Sequence, residues 1–169
     1  MPANAASNAN GYDMTEIDGE GGPERRARLT EEITSQTGID EAMIERLVRT
    51  FYSRVQLDPL LAPVFAAKVD DWDTHFQKLD AFWSSVALMT GRYHGRPMQV
   101  HMDLPVEGAH FDRWLALFEQ TAADICPPVA AEHFIERARR IADSLEMGVA
   151  MRQGRIHTPR HQRPATSTI

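Results

Sequence analysis

The 169-residue chain has a single cysteine, Cys126. That excludes an internal disulfide and any zinc or iron–sulfur site built on several thiolates. A reducing cytoplasm is the expected compartment. No apolar run approaches the roughly 18 residues a membrane span requires, so no membrane partner is expected. Residues 1–22 lack the basic-then-apolar order of a secretory signal. Positive charge is in deficit, with a net −6, which argues against nucleic acid as the main partner. Alternating strand patterns closed by a hairpin turn are missing. So are the common catalytic signatures. Without His-Glu-x-x-His, a Gly-rich phosphate loop, Gly-x-Ser-x-Gly or paired Glu-x-x-His, four chemistries lose support: zinc hydrolysis, nucleotide binding, serine hydrolysis and carboxylate-bridged di-iron chemistry.

What is present has a globular balance, 43% hydrophobic and 25% charged. The charge is unevenly spread. Residues 1–24 hold five acids and no Lys or Arg, and residues 152–169 hold four arginines and no acid. Both ends are poor in large apolar groups, too poor to offset about 1–2 kcal/mol of backbone entropy per residue. Residues 1–27 are therefore expected to form a disordered acidic tail and residues 154–169 a disordered basic one. The working domain is then 28–153.

That domain reads as helix throughout. Asp40 is placed to cap a helix whose buried stripe is Met43, Ile44, Leu47, Val48, Phe51 and Val55. Asp58-Pro59 starts a short helix over Leu60 and Leu61. Asp70 or Asp71 caps the next, with Trp72, Phe76, Leu79, Phe82, Trp83, Val86 and Met89 along one face and Gly91 as its end. Pro97 and Pro105 bound a short turn holding His101. Phe111, Trp114, Leu115, Phe118 and Ile125 mark a further helix, and Pro127-Pro128 separates it from the last, over Phe134 to Leu145. Five or six helices of unequal length predict an all-α sandwich rather than an even bundle.

Of seven histidines, His157 and His161 fall in the basic tail, His94 in a turn, and His133 on an expected surface. His75, His101 and His110 remain. His75 follows the apolar stripe of its helix, His101 sits in the proline-bounded turn, and His110 precedes Phe111. A lone histidine on an apolar face is more often a hydrogen-bonded core residue than a ligand. Two on separate elements, among many aromatics, suit a large flat apolar cofactor held by an axial imidazole.

Three stretches carry a resemblance: FYSRVQLDPLLAPVF at 51–65, HFQKLDAFWSSVALMTGRYHGRPMQVH at 75–101, and HFDRWLALF at 110–118. With their flanking helices, about residues 30–152, they resemble the truncated haemoglobins, specifically the third group. The other groups usually carry Gly-Gly pairs at two corners. Here only Gly38 and the separated Gly91 and Gly95 stand there, as the third group leads one to expect.

The resemblance implies a truncated globin-like two-over-two helical sandwich around one haem b, with His101 as proximal iron ligand. The distal side would be lined by Tyr52, His75 and Trp114. Tyr52 and Trp114 would donate hydrogen bonds to dioxygen, and His75 would gate the pocket or coordinate the iron from the other side. Phe65 would pack on the haem face, and Phe82, with Trp83, would form the wall behind. Lys78, Arg92 and Arg96 are propionate candidates by position. Met98 and Met102 flank His101, where methionine serves as gap filler.

Three functions follow from different classes. The first is redox chemistry on dioxygen, nitric oxide dioxygenation or peroxide chemistry, with an electron-donating reductase as partner. The second is binding or sensing of dioxygen, nitric oxide or carbon monoxide without turnover. The third is a haem-free helical interaction module. Tight retention by two donors suits the first better than oxygen delivery.

Overall fold

Local signals start most of the helices where the sequence places them. A computed structural model describes residues 21–162. Among these residues there are seven α-helices and no strand. The Asp40 carboxylate accepts the Met43 N–H at 2.8 Å and opens α2, Glu41–Val55. Asp71, rather than Asp70, opens α4, Trp72–Leu88, by accepting from the Asp73 and Thr74 N–H groups. Both carboxylates satisfy donors that a helix start leaves without partners. Pro97 takes the first turn of α5, Pro97–Met102, where its missing N–H costs nothing. Glu107 precedes α6, Gly108–Ile125, and its own N–H is accepted by His110 Nδ1 at 3.2 Å. The two prolines divide α6 from α7, Pro128–Arg152.

Two boundaries and one whole helix differ from the sequence expectation. The short helix after Pro59 is α3, Ala62–Ala66, one turn later than expected, because the Asp58 carboxylate draws the Leu60 and Leu61 N–H groups into a turn of its own. Helix α4 ends at Met89, which takes a left-handed φ of 61°, before Gly91 is reached. A helix not read from the pattern, α1, Gly22–Thr37, lies against α4 and α7. It has no fully buried residue, so it lacks the apolar stripe that would have marked it.

Helix α2 packs on α4 and α6, and α6 packs on α7, giving two layered pairs with α5 laid across α7. The core between them is aromatic. Trp83 stacks on Phe118 at 4.8 Å, and Phe51 meets Phe118 edge-on at 5.1 Å. Gly148 of α7 lies directly beneath Met98, and a Cβ there would collide with the Met98 sulfur. That bare spot lets α5, which carries His101, sit close on α7. His133, expected at the surface, is half-buried instead. Its Nε2 bonds the Ala87 carbonyl at 2.8 Å while Arg137 donates to the Val86 carbonyl at 3.1 Å. Together they satisfy carbonyls in the last turn of α4.

Parts of both expected tails are ordered against the domain. Residues 22–27 are helical in α1. At the other end, Arg155 donates to the Val106 carbonyl at 3.3 Å. Arg160 pairs with Asp112 of α6 at 2.7 Å, with buried Glu146 of α7 at 2.6 Å, and with Asp143. His157 is partly buried, 4.0 Å from Glu146. The carboxylates of α6 and α7 thus hold a segment whose composition alone reads as solvated. Residues 1–20 and 163–169, and the His161 side chain, lie outside the described residues. Among the described residues no helix is long and apolar enough to cross a membrane.

Asp58 ties the end of α2 to α6. Its buried carboxylate accepts from Arg113 Nε at 2.6 Å and from the two backbone N–H groups. Burial pushes its pKa up, but the Arg113 hydrogen bond, the Leu61 and Leu60 N–H groups and the Arg113 charge outweigh that and hold it below the ordinary value. A depressed carboxyl pKa contributes stability above the unfolded value, about 3.9, that is lost as pH falls through the folded one. Asp58→Asn is expected to be less stable at neutral pH. Between about pH 5 and pH 2 it should lose less of what remains than the parent does. Thermal midpoints measured across that range check this, and parallel pH profiles for parent and variant would contradict it.

Candidate functional site

A cavity of about 390 Å³ opens among α2, α3, α4, α5, α6 and α7. Its wall includes Tyr52, Phe65, His75, Phe82, His101 and Trp114, the distal, proximal and haem-packing residues expected from the sequence. Leu79, Trp83, Leu104, Phe111, Ile141 and Leu145 make most of the remaining surface apolar.

His101 lies in the last turn of α5. Its Nδ1 is 2.7 Å from the Pro97 carbonyl. A carbonyl only accepts, so Nδ1 carries the proton and Nε2 keeps its lone pair. One ring nitrogen is thus anchored to the backbone and the other is available as a ligand, the arrangement that fixes the ring and raises its basicity toward a metal.

Tyr52 projects from the flank of the α2 stripe and is buried. The Trp114 indole of α6 lies close enough to pull on its hydroxyl. An indole N–H only donates, so toward Trp114 the phenol oxygen can act only as acceptor, which leaves the phenol proton for another partner. Burial pushes the Tyr52 pKa well above the ordinary phenol value, against the opposing pull of Trp114. The phenol is therefore protonated and a donor across the physiological range. Trp114 is held in turn by Phe51, edge-on at 5.4 Å, and by Phe118, stacked at 5.4 Å.

His75, on the first turns of α4, is half-buried. Burial, then the Lys78 charge, then His101 push its pKa down. Its ring meets Tyr52 edge-on at 6.1 Å. Phe65 of α3 closes the same corner, 5.6 Å from the Tyr52 ring.

Of the three cations proposed by position, only Lys78 lines the cavity. Arg92 is engaged with Glu41 at 2.9 Å, and Arg96 is not on the wall. Lys68, in the turn after α3, lines it instead and was not foreseen, because a turn residue has no periodicity to reveal its facing. Tyr93 was missed for the same reason. It sits in the loop before α5, edge-on to Phe82 at 5.2 Å. His110 also reaches the wall. Its signal was available, since it lies one helical turn before Trp114 on α6. Met98 and Met102 are off the wall, and Met98 covers Gly148.

An apolar cavity lined by an anchored imidazole and hydrogen-bond donors, with two ammonium groups on its wall, suits an iron porphyrin with two carboxylates. The residues fit the group. Among the described residues no cluster of His, Cys, Asp and Glu suits a directly held metal ion.

Fold and pocket together define a globin. Residues 33–147 match the family model of the bacterial-like globins, and the chain belongs to that family. Within it, the chain is a truncated haemoglobin of the third group, with the two-over-two arrangement of helices. The group 3 truncated haemoglobin ctb of Campylobacter jejuni is 30% identical over 113 residues, covering 64% of this chain and 89% of that protein. The crystal structure of the group III truncated haemoglobin from Campylobacter jejuni matches with a TM-score of 0.60 and 31% identity, over 64% of this chain and 89% of that one. Haem-based binding of small gaseous ligands is the family's general property.

Proposed function

We propose that the chain holds one haem b with His101 Nε2 as its proximal ligand and uses it for redox chemistry on dioxygen rather than for oxygen delivery. Haem, when bound, supplies an iron that takes a diatomic gas and exchanges electrons. The observation that carries the reading is that two donor side chains, Tyr52 and Trp114, line the same cavity as His101. Tyr52 and Trp114 share the cavity wall, and burial keeps the Tyr52 phenol protonated, so its proton is available to a ligand. A donor of this kind facing partial negative charge in a dry pocket contributes about 1–3 kcal/mol. Release of a polar diatomic then slows by roughly ten-fold or more, since 1.4 kcal/mol is a factor of ten. Slow release disfavours transport and favours reaction, nitric oxide dioxygenation or peroxide chemistry.

In this reading Lys78 and Lys68 neutralise the propionates, and Phe65, Phe82 and Leu79 exclude water from the reacting face. His75, kept neutral by burial, gates access. Electrons come from a reductase partner in the cytoplasm. Cys126 takes no part, because it is buried and burial pushes its thiol pKa up.

Absorption spectra of the purified chain in the ferric, ferrous and gas-exposed states test haem binding. Reductase-coupled nitric oxide consumption then tests turnover. A preparation without a Soret band after haem addition would overturn the whole reading. Haem binding with no consumption of nitric oxide or peroxide would leave ligand binding or sensing as the function.

A further inference from the structure

We propose that Trp72 is a positioning residue that holds the His75 ring inward and so sets how readily ligands enter the cavity. The inference rests on reading that cavity as a haem pocket. His75 packs edge-to-face against two rings. Its centroid is 6.1 Å from Tyr52 with an interplanar angle of 87°, and 5.5 Å from Trp72 with an angle of 86°. Among the described residues its imidazole makes no hydrogen bond or ion pair. These ring contacts are therefore what keeps it in place.

Trp72 is not on the cavity wall and stands one layer outside it. It is itself braced on several sides. It stacks on Phe65 at 6.3 Å and 22°, and it tilts against Phe76 at 5.4 Å and 40°. Phe76 is covered by the Arg49 guanidinium 4.2 Å above its ring, and Arg49 is held by Asp80 at 3.1 Å. Trp72 also begins α4, where the Asp71 cap fixes the backbone. A fixed indole beside an unbonded imidazole makes Trp72 the stationary part of the gate and His75 the moving part. Burial keeps His75 neutral, so no charge draws it out toward water near neutral pH. One edge-to-face pair is worth about two- to ten-fold in an equilibrium. That factor is what Trp72 adds to the closed state. A small diatomic gas needs only brief openings, whereas a bulkier ligand needs His75 fully displaced. Trp72 therefore discriminates by size.

The test uses the full chain loaded with haem and reduced. Rebinding of carbon monoxide and of n-butyl isocyanide after flash photolysis is compared in the parent, Trp72→Phe, Trp72→Leu, Trp72→Ala, His75→Ala and the Trp72→Ala/His75→Ala double variant. Trp72→Ala and Trp72→Leu are expected to speed entry by about two- to ten-fold, more for the isocyanide than for carbon monoxide. Trp72→Phe, which keeps a ring, should stay near the parent. Trp72→Ala should add nothing once His75 is Ala, because the effect passes through that side chain. The carbonyl infrared bands give a second readout. In Trp72→Leu they should shift toward the pattern of His75→Ala, since both leave the ligand without a facing imidazole. Equal acceleration with and without His75, or unchanged entry in Trp72→Ala, would overturn the gate and leave Trp72 as packing. A parent chain that binds no haem would overturn the pocket reading itself, which separates that failure from failure of the gate.

Discussion

His101→Ala is expected to abolish stable haem retention, the largest single effect the site predicts. Nothing else on the α5 side of the cavity offers a nitrogen whose partner atom is already anchored to the backbone. His75 and His110 also reach the wall, but neither shows the Nδ1-to-carbonyl anchor that fixes His101. The apolar wall remains in the variant, so haem partitions into it weakly and exchanges. Added imidazole should restore a histidine-like spectrum, because the cavity left by the side chain is the size of the missing ring. Haem transfer to an acceptor apoprotein, followed at the Soret band, measures the loss. A variant that keeps haem with an unchanged ferrous iron–histidine vibration would move the proximal role to another residue.

Tyr52→Phe is the second. The change removes one hydroxyl and keeps the ring that packs against Phe65, Trp72 and His75. Dioxygen should leave about ten-fold faster or more, from the loss of a hydrogen bond of about 1–3 kcal/mol. Carbon monoxide carries less charge on its outer atom and should respond much less. The sequence alone placed Tyr52 and Trp114 as two donors to one ligand. In the structure both line the cavity and the Trp114 indole pulls on the Tyr52 phenol, so Trp114 is expected to act in series, through Tyr52. The series makes a distinct prediction for the pair. Trp114→Phe weakens the Tyr52 donor and opens a small cavity, so it also speeds release. The double variant should then lie close to Tyr52→Phe rather than at the product of the two effects. Stopped-flow release of both gases from the three variants decides it. A double variant much faster than either single change would mean Trp114 donates to the ligand directly. Equal acceleration of both gases would replace hydrogen bonding with steric access.

How much of this was legible depended on the range over which each feature is encoded. The α2 stripe was readable because residues three and four apart share a face, and all its expected positions are buried. The Asp40 and Asp71 caps were readable because the acceptor and its N–H donors lie within three residues of one another. The turn holding His101 was readable from its bounding prolines, and the family from the order of tyrosine, histidine and tryptophan along the three stretches.

Contacts between distant segments were not readable. The approach of Trp114 to Tyr52 depends on how α2 crosses α6, and no local pattern states that angle. Arg160 looked like a solvated tail residue until Asp112, Asp143 and Glu146 from two helices converged on it. Arg92 looked available until Glu41 took it, and Lys68 looked irrelevant until its turn faced the cavity. Trp72 read as one more apolar residue on a stripe, yet tertiary packing sets it against His75, the one imidazole of the cavity wall for which no hydrogen bond is found among the described residues. The sequence by itself determined the helices that carry an apolar stripe, the Asp40 cap and the residue types of the candidate site, because those follow from interactions within a few residues. Which cation meets which carboxylate, and which ring braces which, was decided only when the helices packed, because those pairings depend on distances the chain sets in space and not along its length.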